Sequence, residues 1–192
     1  MTLTREAIVD GLIGLLGADK VDTDEQTLKE NSLDRYRKLE DIFGIYNLPI
    51  PAAVVRVTST DDVSKTLAFC NEHKINVVPK TGGTATEGGL ETIAENSIVI
   101  DGKGMDKIVS VDEFDMQATV QCGVKLQDLE DVVRELGYTT GHSPQSKPIA
   151  MYGGLVATRS IGQFSTLYGG IEDMVMGLEA VLPSGEVVRI KD

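Results

Sequence analysis

The sequence predicts an α+β protein of two lobes, and two patterns carry that prediction. The first is a strand–helix–strand unit over residues 52–79, whose short connections favour two parallel strands buried on both faces. The second is a series of short β-rich runs from residue 97 onward, separated by turn residues as in antiparallel sheets. A chain of 192 residues is long enough for one domain with a real core or for two small lobes.

An N-terminal helical extension, residues 1–48, is predicted to precede the first lobe. Residues 4–16 predict a helix that Thr4 caps and Gly17 ends. Its apolar residues at helical spacing are Ile8, Leu12, Leu15 and Leu16. Residues 34–43 predict a second helix, and Pro49 and Pro51 then mark the start of the first lobe.

The predicted first lobe is residues 49–104. It begins with the strand AAVVRV (52–57), continues with a helix that ends near His73, and reaches the strand INVVP (75–79). The apolar face of the helix consists of Val63, Leu67, Ala68 and Cys70. A glycine-rich loop then separates this unit from the strand SIVID (97–101).

The predicted second lobe is residues 105–192. Its strands are KIVSV (107–111) and MQATVQCG (116–123), and EAVLPSGEVVRI (179–190) predicts a hairpin that turns at Pro-Ser-Gly. LQDLEDVVRELG (126–137) predicts an amphipathic helix that Gly137 ends. The predicted apolar side of that helix is Leu126, Leu129, Val132, Val133 and Leu136. MYGGLVATRS (151–160) has the composition of a further helix.

Composition argues against several function classes. A formal net charge of −12 would repel a phosphate backbone, so neither nucleic acid nor an anionic membrane is an expected partner. The N-terminus lacks a signal-peptide pattern and no apolar run approaches a membrane span, which predicts a cytoplasmic protein. Cys70 and Cys122 are expected to be free thiols in a reducing compartment, and no metal site is predicted.

The loop VVPKTGGTATEGG (77–89) ends a β-branched strand with residues that have almost no side chain. Glycines let backbone N–H groups approach a phosphate, and the hydroxyls of Thr81, Thr84 and Thr86 add further donors. The loop is neither a Walker A motif nor a GxGxxG dinucleotide motif, because no Gly-Lys-Ser/Thr and no helix follow it. From this loop alone, a solvated turn is the simpler interpretation.

A second glycine-rich segment is PQSKPIAMYGGLVATRSIGQFSTLYGGIEDMV (144–175). Gly153 and Gly154 open a predicted helix, whose free N–H groups could face an anion. Gly169 and Gly170 allow another close backbone approach. Two such segments, well separated along the chain, suit a long ligand held between two lobes.

Together these segments resemble the FAD-binding domain of the vanillyl-alcohol oxidase / p-cresol methylhydroxylase (PCMH-type) superfamily. The most similar branch contains the flavoprotein of glycolate oxidase, D-lactate dehydrogenase and alkyldihydroxyacetonephosphate synthase. Residues 51–89 are similar to that family's strand–helix–strand and its Pro-x-Gly-Gly-Gly-Thr-Ser pyrophosphate loop. Residues 153–175 resemble the synthase's Gly-Gly-x-x-x-Thr-Arg-Ala-Ser-Gly and Tyr-Gly-Asn-Ile-Glu-Asp. The resemblance implies a PCMH-type domain with an N-terminal βαβ lobe and a second lobe that has a mostly antiparallel sheet.

The resemblance implies FAD as the cofactor and assigns its contacts by position. The pyrophosphate would lie on Pro79, Lys80, Thr81, Gly82, Gly83, Thr84 and Ala85. The isoalloxazine and ribityl chain would lie beside residues 145–151, including Gln145, Ser146 and Met151. The backbone would approach the cofactor at Gly153 and Gly154, with Thr158, Arg159, Ser160 and Ile161 nearby. The adenine side would be lined by Ile171 and Val175.

Three positions depart from the family pattern. Thr81 stands where the first loop glycine is usual, so it must avoid a positive φ or be strained. Ala85 replaces a serine and Gln145 an aspartate, and each change removes a possible hydrogen bond. The loop contains no histidine, which predicts non-covalent FAD rather than a histidyl–flavin bond.

Members of the family carry a substrate domain after this one, whereas this chain ends at VVRIKD (187–192). This difference predicts a fragment or a separately encoded flavin subunit, which would fold alone without turning over substrate. The expected partners are a small-molecule substrate and the missing substrate domain or partner subunit. Homo-oligomerisation is left open.

The catalytic residues cannot be identified from the sequence. Arg159 is the candidate for contact with a substrate carboxylate or phosphate, and a salt bridge to an acidic residue is an equal alternative. His142 either lies beside the flavin or orders its loop, and His73 is expected to be a surface cation at a helix end. Glu172 and Asp173 are adjacent and point apart, so they do not predict a catalytic carboxylate pair.

Two function classes follow from these patterns. The first is the flavin domain of an FAD-linked oxidoreductase that acts on a 2-hydroxy acid or a similar alcohol. This first class is that of enzyme parts, and the runner-up within it is the flavin domain of a synthase that uses flavin as an electrophile without net redox change. The second class is a cofactor-binding module without activity of its own.

Overall fold

The computed structural model describes residues 3–37, 42–44 and 48–191. Its helices and strands, in chain order, are α1 (Arg5–Leu16), β1 (Val21–Asp22), α2 (Glu25–Glu30), β2 (Ala53–Arg56), α3 (Thr60–His73), β3 (Val77–Lys80), β4 (Ile98–Asp101), β5 (Ile108–Asp112), β6 (Gln117–Val120), α4 (Leu126–Glu135), α5 (Tyr152–Ala157), α6 (Ser165–Tyr168), β7 (Gly177–Val181) and β8 (Val187–Lys191). Short 3₁₀ turns lie at Ala18–Lys20 and Ile171–Asp173. Within the described ranges, no helix is long and apolar enough to cross a bilayer.

The main sheet has four strands in the order β1–β2–β4–β3. Strands β2 and β3 both run parallel to β4, so the parallel orientation predicted for the strand–helix–strand unit is confirmed. The two strands are not neighbours, however, because β4 lies between them and all four of its residues are buried. The predicted burial of both faces was therefore wrong for β3, which forms an edge of the sheet and leaves Pro79 exposed.

The first core forms where α1 and α3 pack on one face of this sheet. Helix α1 begins after Thr4, whose hydroxyl accepts the Ala7 N–H at 3.3 Å, and ends at Gly17 with φ 96°. The buried residues of this core include Ile8, Leu12, Val55, Cys70, Ile98 and Ile100. Strand β1, within the segment predicted as a helical extension, pairs antiparallel with β2 and so completes the sheet on that side.

Residues 38–41 of the helix predicted over residues 34–43 lie outside the described residues. Residues 35–37, which are described, form a turn.

The remaining strands form two separate antiparallel pairs, β5–β6 and β7–β8. Helix α4 packs against β5 and β6 through Leu129 and Val133. Val132 and Leu136 are 38% and 41% exposed, so their predicted place on the apolar side was wrong. The buried face of α4 instead contains Glu130, because hydrogen bonds compensate its carboxylate for the loss of water.

The β7–β8 hairpin turns at Gly185, as predicted, and this residue has φ +87°. The Gly185 carbonyl accepts a hydrogen bond from Ser64 Oγ at 2.5 Å, and Thr60 Oγ1 donates to Glu179 Oε1 at 2.6 Å. The end of the described chain therefore packs on α3.

Candidate functional site

The two glycine-rich segments meet at the carboxyl end of β3. A Cβ atom on Gly82 would stand 2.6 Å from the Ile149 carbonyl oxygen and 3.0 Å from the Met151 nitrogen. A Cβ on Gly154 would stand 3.2 Å from Thr81 Oγ1. The absence of a side chain at Gly82 thus lets the loop lie directly against the segment that leads into α5.

The loop after β3 presents a run of backbone donors. The N–H groups of residues 81–85 donate to no other described residue. The carbonyls that flank this run are engaged, since Lys80 O accepts the Gly102 N–H at 2.9 Å and Ala85 O accepts the Arg35 N–H at 3.1 Å. Gly83 has φ +66°, a conformation that glycine adopts without a steric penalty. A loop held by its carbonyls with its N–H groups unpaired is suited to an anion.

Gly153 and Gly154 face different surroundings. The Gly153 N–H donates to Cys122 O at 2.8 Å, and a Cβ there would stand 2.7 Å from Cys122 Cβ. The sequence-based expectation of a free N–H at Gly153 was therefore wrong, because this group bonds within the protein. A Cβ on Gly154 would meet only Thr81 Oγ1, at 3.2 Å, so Gly154 lies directly beside the Thr81 hydroxyl and no backbone atom from the facing segment blocks this position.

The first group of residues assigned to the cofactor lies around this junction. Pro79 is exposed, and Lys80 Nζ donates to Asn31 Oδ1 at 2.6 Å. Thr81 has no positive φ, so its replacement of a glycine causes no backbone strain. Residues 81–85 are all partly exposed.

The residues assigned to the flavin and adenine sides differ in exposure. Gln145 is exposed, whereas Met151 is buried. Ser146 accepts the N–H groups of Ile149 and Ala150 at 2.9 and 2.8 Å through its carbonyl, which shapes the turn before α5. Val175 is partly exposed, but Ile171 is 4% exposed and belongs to the core with Leu126, Ala150 and Leu155. The Ile171 side chain therefore stabilises the fold and does not line an open surface.

Arg159 forms an ion pair with Glu172. Its Nε and Nη2 atoms lie 3.1 and 2.9 Å from Glu172 Oε1, and the Arg159 side chain is 77% exposed. Arg159 also has φ +51°, a conformation that is uncommon outside glycine. The salt bridge that was the alternative prediction for Arg159 is present. The neighbouring Thr158 hydroxyl donates to Gly154 O at 2.8 Å.

His142 links the two parts of the second segment. Its side chain is 2% exposed, and Nε2 lies 3.1 Å from Ser160 Oγ. Burial lowers the pKa of His142, although the charge of Glu172 opposes this shift. His142 Nδ1 is buried and has no hydrogen-bond partner among the described residues. These contacts favour the loop-ordering role over the flavin-side role for His142. His73 lies in the last turn of α3, with its ring 4.7 Å from that of Phe69.

Two buried carboxylates beside the site were not predicted from the sequence. Asp34, 1% exposed, accepts the N–H groups of Tyr36, Arg37 and Gly88. Glu130, 2% exposed, accepts from Thr140 N, Thr140 Oγ1, Thr139 Oγ1 and Arg134 Nε.

Although burial raises the pKa of Glu130, hydrogen bonds from Thr140, Arg134 and Thr139 outweigh it and hold the pKa at about 2. A signal for Glu130 was present in the sequence, since it continues the helical spacing of Leu126, Leu129 and Val133. No comparable spacing marks Asp34.

The chain is similar to proteins of known family over most of its length. Residues 51–191 match the family model described as FAD binding domain. Over all 192 residues the chain is 66% identical to YgcU, an FAD-linked oxidoreductase of Escherichia coli (strain K12), and spans 40% of that protein. It is 36% identical over 140 residues to the glycolate oxidase subunit GlcD of Bacillus subtilis (strain 168), a match that covers 73% of this chain and 30% of GlcD.

The fold of this chain is similar to that of a solved structure. The structure of an alkyldihydroxyacetonephosphate synthase superposes on 99% of this chain with a TM-score of 0.88 at 25% identity, and 36% of the synthase chain is covered. The predicted α+β fold and the predicted family resemblance are therefore confirmed. The chain spans less than half the length of the relatives it matches. Because one family model matches both glycine-rich segments in a single stretch, the chain belongs to the FAD binding domain family.

Proposed function

We propose that this chain binds FAD non-covalently and is the flavin-binding part of an oxidoreductase that acts on a 2-hydroxy acid or a related CH–OH substrate. The junction at Gly82 carries the proposal. There the loop packs against the segment that leads into α5, and the N–H groups of residues 81–85 have no partner among the described residues. In this proposal residues 49–104 and 105–192 are the two lobes, and the cofactor lies where they meet.

Backbone dipoles are proposed to hold the FAD pyrophosphate. The N–H groups of residues 81–85 are available for it, and Gly82 and Gly83 place no side chain between the backbone and the phosphates. Such neutral donors suit a chain of net charge −12, since they bind an anion without a cluster of cations. The position of Gly154 next to the Thr81 hydroxyl extends the proposed site toward α5. When bound, FAD supplies a flavin ring that accepts a hydride.

Non-covalent attachment is proposed because the loop over residues 77–89 contains no histidine. The Nε2 atom of His142 is engaged with Ser160, and His73 packs edge-on against Phe69. Neither histidine is therefore proposed as a flavin attachment point or as the base for a substrate hydroxyl. For the same reason, residues 1–192 alone are expected not to turn over substrate.

The proposed substrate class rests on the glycolate oxidase relative and on Arg159. The Arg159 guanidinium is exposed beside the second segment and pairs with Glu172. A substrate carboxylate can compete with Glu172 for its donors, since guanidinium binds carboxylates in a bidentate geometry. We therefore propose Arg159 as the contact for the substrate anion.

A synthase that uses flavin without net redox change is the second candidate. It is favoured by the TM-score of 0.88 with the alkyldihydroxyacetonephosphate synthase and by the shared Tyr-Gly-x-Ile-Glu-Asp pattern at residues 168–173. A cofactor-binding module without its own activity is the third.

The first test is reconstitution of the purified chain with FAD, followed by acid precipitation. We expect a visible flavin spectrum whose colour passes entirely into the supernatant. Colour retained in the pellet would contradict non-covalent attachment, and absence of flavin after reconstitution would contradict the cofactor. With the product of the complete gene, reduction of a dye by D-lactate or glycolate supports the oxidoreductase. Alkyl exchange without dye reduction supports the synthase.

A further inference from the structure

Residues 31–37, here called the brace, lie along the loop that follows β3. The contact between Lys80 Nζ and Asn31 Oδ1 at 2.6 Å fixes the start of the loop. The contact between Thr92 N–H and Ser32 O at 3.0 Å fixes its end. The two ends of residues 80–92 are thus attached to adjacent residues of the brace.

The middle of the loop is attached to the same segment. The Arg35 N–H donates to Ala85 O at 3.1 Å, and the Gly88 N–H donates to Asp34 Oδ2. An ion pair between Arg37 Nε and Glu91 Oε1 at 3.0 Å adds a further contact. Every one of these contacts joins residues at least 49 positions apart, so the loop conformation depends on the N-terminal segment.

Asp34 connects the brace to the loop through one buried carboxylate. Its Oδ1 atom accepts the N–H groups of Tyr36 at 3.0 Å and Arg37 at 3.1 Å, which folds the brace into a turn. Its Oδ2 atom accepts the Gly88 N–H, where Gly88 has φ +81°. Asp34 is 1% exposed, and three backbone N–H groups donate to its carboxylate.

Ordering a glycine-rich loop costs conformational entropy, and glycine loses more of it than any other residue. A loop that is ordered in the free protein loses less conformational entropy when the ligand binds, so its affinity for the ligand is higher. Residues 81–85 lie between the contacts at Lys80 and Ala85, and their N–H groups are unpaired within the described part of the chain. The brace therefore holds these donors in place without using them.

We propose that Asp34 is a positioning residue for the cofactor, which holds the loop so that the N–H groups of residues 81–85 converge on the FAD pyrophosphate. This inference rests on the proposed function, because it assumes that the loop binds FAD. Asp34 itself does not touch the cofactor.

The test compares Asp34→Asn with Asp62→Asn in the 192-residue chain. Asp62 is a matched control in the first lobe, 6% exposed, that accepts from Thr58 N at 2.9 Å and from Lys20 Nζ at 2.7 Å. The hydrogen-bond partners of the Asp62 carboxylate among the described residues, Lys20 and Thr58, do not belong to residues 80–92. The FAD dissociation constant is measured by flavin fluorescence, and loop order in the FAD-free protein by the rate of trypsin cleavage after Lys80.

We expect Asp34→Asn to weaken FAD binding by about tenfold or more and to accelerate cleavage after Lys80. Asp62→Asn should change neither quantity, although it lowers stability. The inference is overturned if Asp34→Asn binds FAD as the wild type does, or if Asp62→Asn weakens binding equally. A wild-type chain that binds no FAD overturns the proposed function, and the cleavage rates then report separately on the brace.

Discussion

At the scale of single residues, the glycines of the two segments serve two different purposes. Gly82 and Gly153 are needed by the protein itself, because a Cβ at either position would overlap neighbouring atoms at 2.6 and 2.7 Å. At Gly83 and Gly154 a Cβ would come within 3.2 Å of one side-chain atom only, Lys80 Cε or Thr81 Oγ1, so a small shift of that side chain could accommodate it. The sequence predicted that the glycines of both segments allow a close approach of the backbone to a ligand. It could not separate the two purposes, since that depends on contacts between distant segments.

The substitution Gly154→Ala tests the proposed cofactor side of this distinction. Alanine favours helix by about 1 kcal/mol, but its Cβ would stand 3.2 Å from Thr81 Oγ1, so the free energy of unfolding of the FAD-free chain should change by less than about 1 kcal/mol. The added methyl group should nevertheless weaken FAD binding by about tenfold, because it occupies the space proposed for the cofactor. Chemical denaturation and FAD titration give the two quantities.

Gly14→Ala is the matched control, since Gly14 lies in α1 and a Cβ there would meet no atom within 4 Å. It should raise the free energy of unfolding by up to about 1 kcal/mol and leave FAD affinity unchanged. Equal FAD affinity in Gly154→Ala and Gly14→Ala would show that the space beside Gly154 does not receive the cofactor.

At the scale of elements, helix α4 positions the segment that leads into α5. Glu130 on its buried face accepts hydrogen bonds from Thr139 and Thr140, and Lys147 Nζ lies 3.4 Å from its Oε1 atom. The sequence predicted this helix from its apolar spacing. The predicted apolar face was too wide, because it included Val132 and Leu136, which are exposed. It also omitted Glu130, because spacing alone does not show that this carboxylate is a buried hydrogen-bond acceptor rather than a solvated charge.

The Glu130 contacts predict a pH-dependent contribution to stability. The folded-state pKa is about 2, below the ordinary value of 4.5, so the contribution is complete above about pH 4.5 and is lost as the pH falls toward 2. Near neutral pH, Glu130→Gln should lower the free energy of unfolding by about 2 kcal/mol. Urea denaturation across this pH range should show the difference from wild type narrowing as the solution is acidified.

Glu135→Gln, on the exposed side of the same helix, is the control and should change stability little at any pH. A constant difference between Glu130→Gln and wild type from about pH 6 to about pH 2.5 would mean that the Glu130 charge does not stabilise the fold.

At the scale of the whole molecule, the strand order was the least predictable feature. Strand β4 was predicted from the run SIVID. Its central position between β2 and β3 was not predicted, because the composition of a β-rich run does not identify the strands with which it pairs. The pairing of β1 with β2 was missed because β1 has only two residues. The longer elements from β2 onward and the glycine motifs were thus predictable from local pattern, whereas the short elements β1 and α2 were not, and the brace and the sheet order depend on contacts between distant residues.

Residues 81–85 and the segment before α5 are proposed to form a single FAD site, which is the central claim about this molecule. The most direct measurement is a two-dimensional ¹H–¹⁵N spectrum of the labelled 192-residue chain during titration with FAD, ADP and riboflavin. FAD and ADP should both shift the amides of residues 81–85, because both ligands carry the pyrophosphate, and riboflavin should not. Binding of FAD that leaves these amides unchanged, with the shifts instead around Lys20, Arg56 and Lys103 at the end of β2, would contradict the claim.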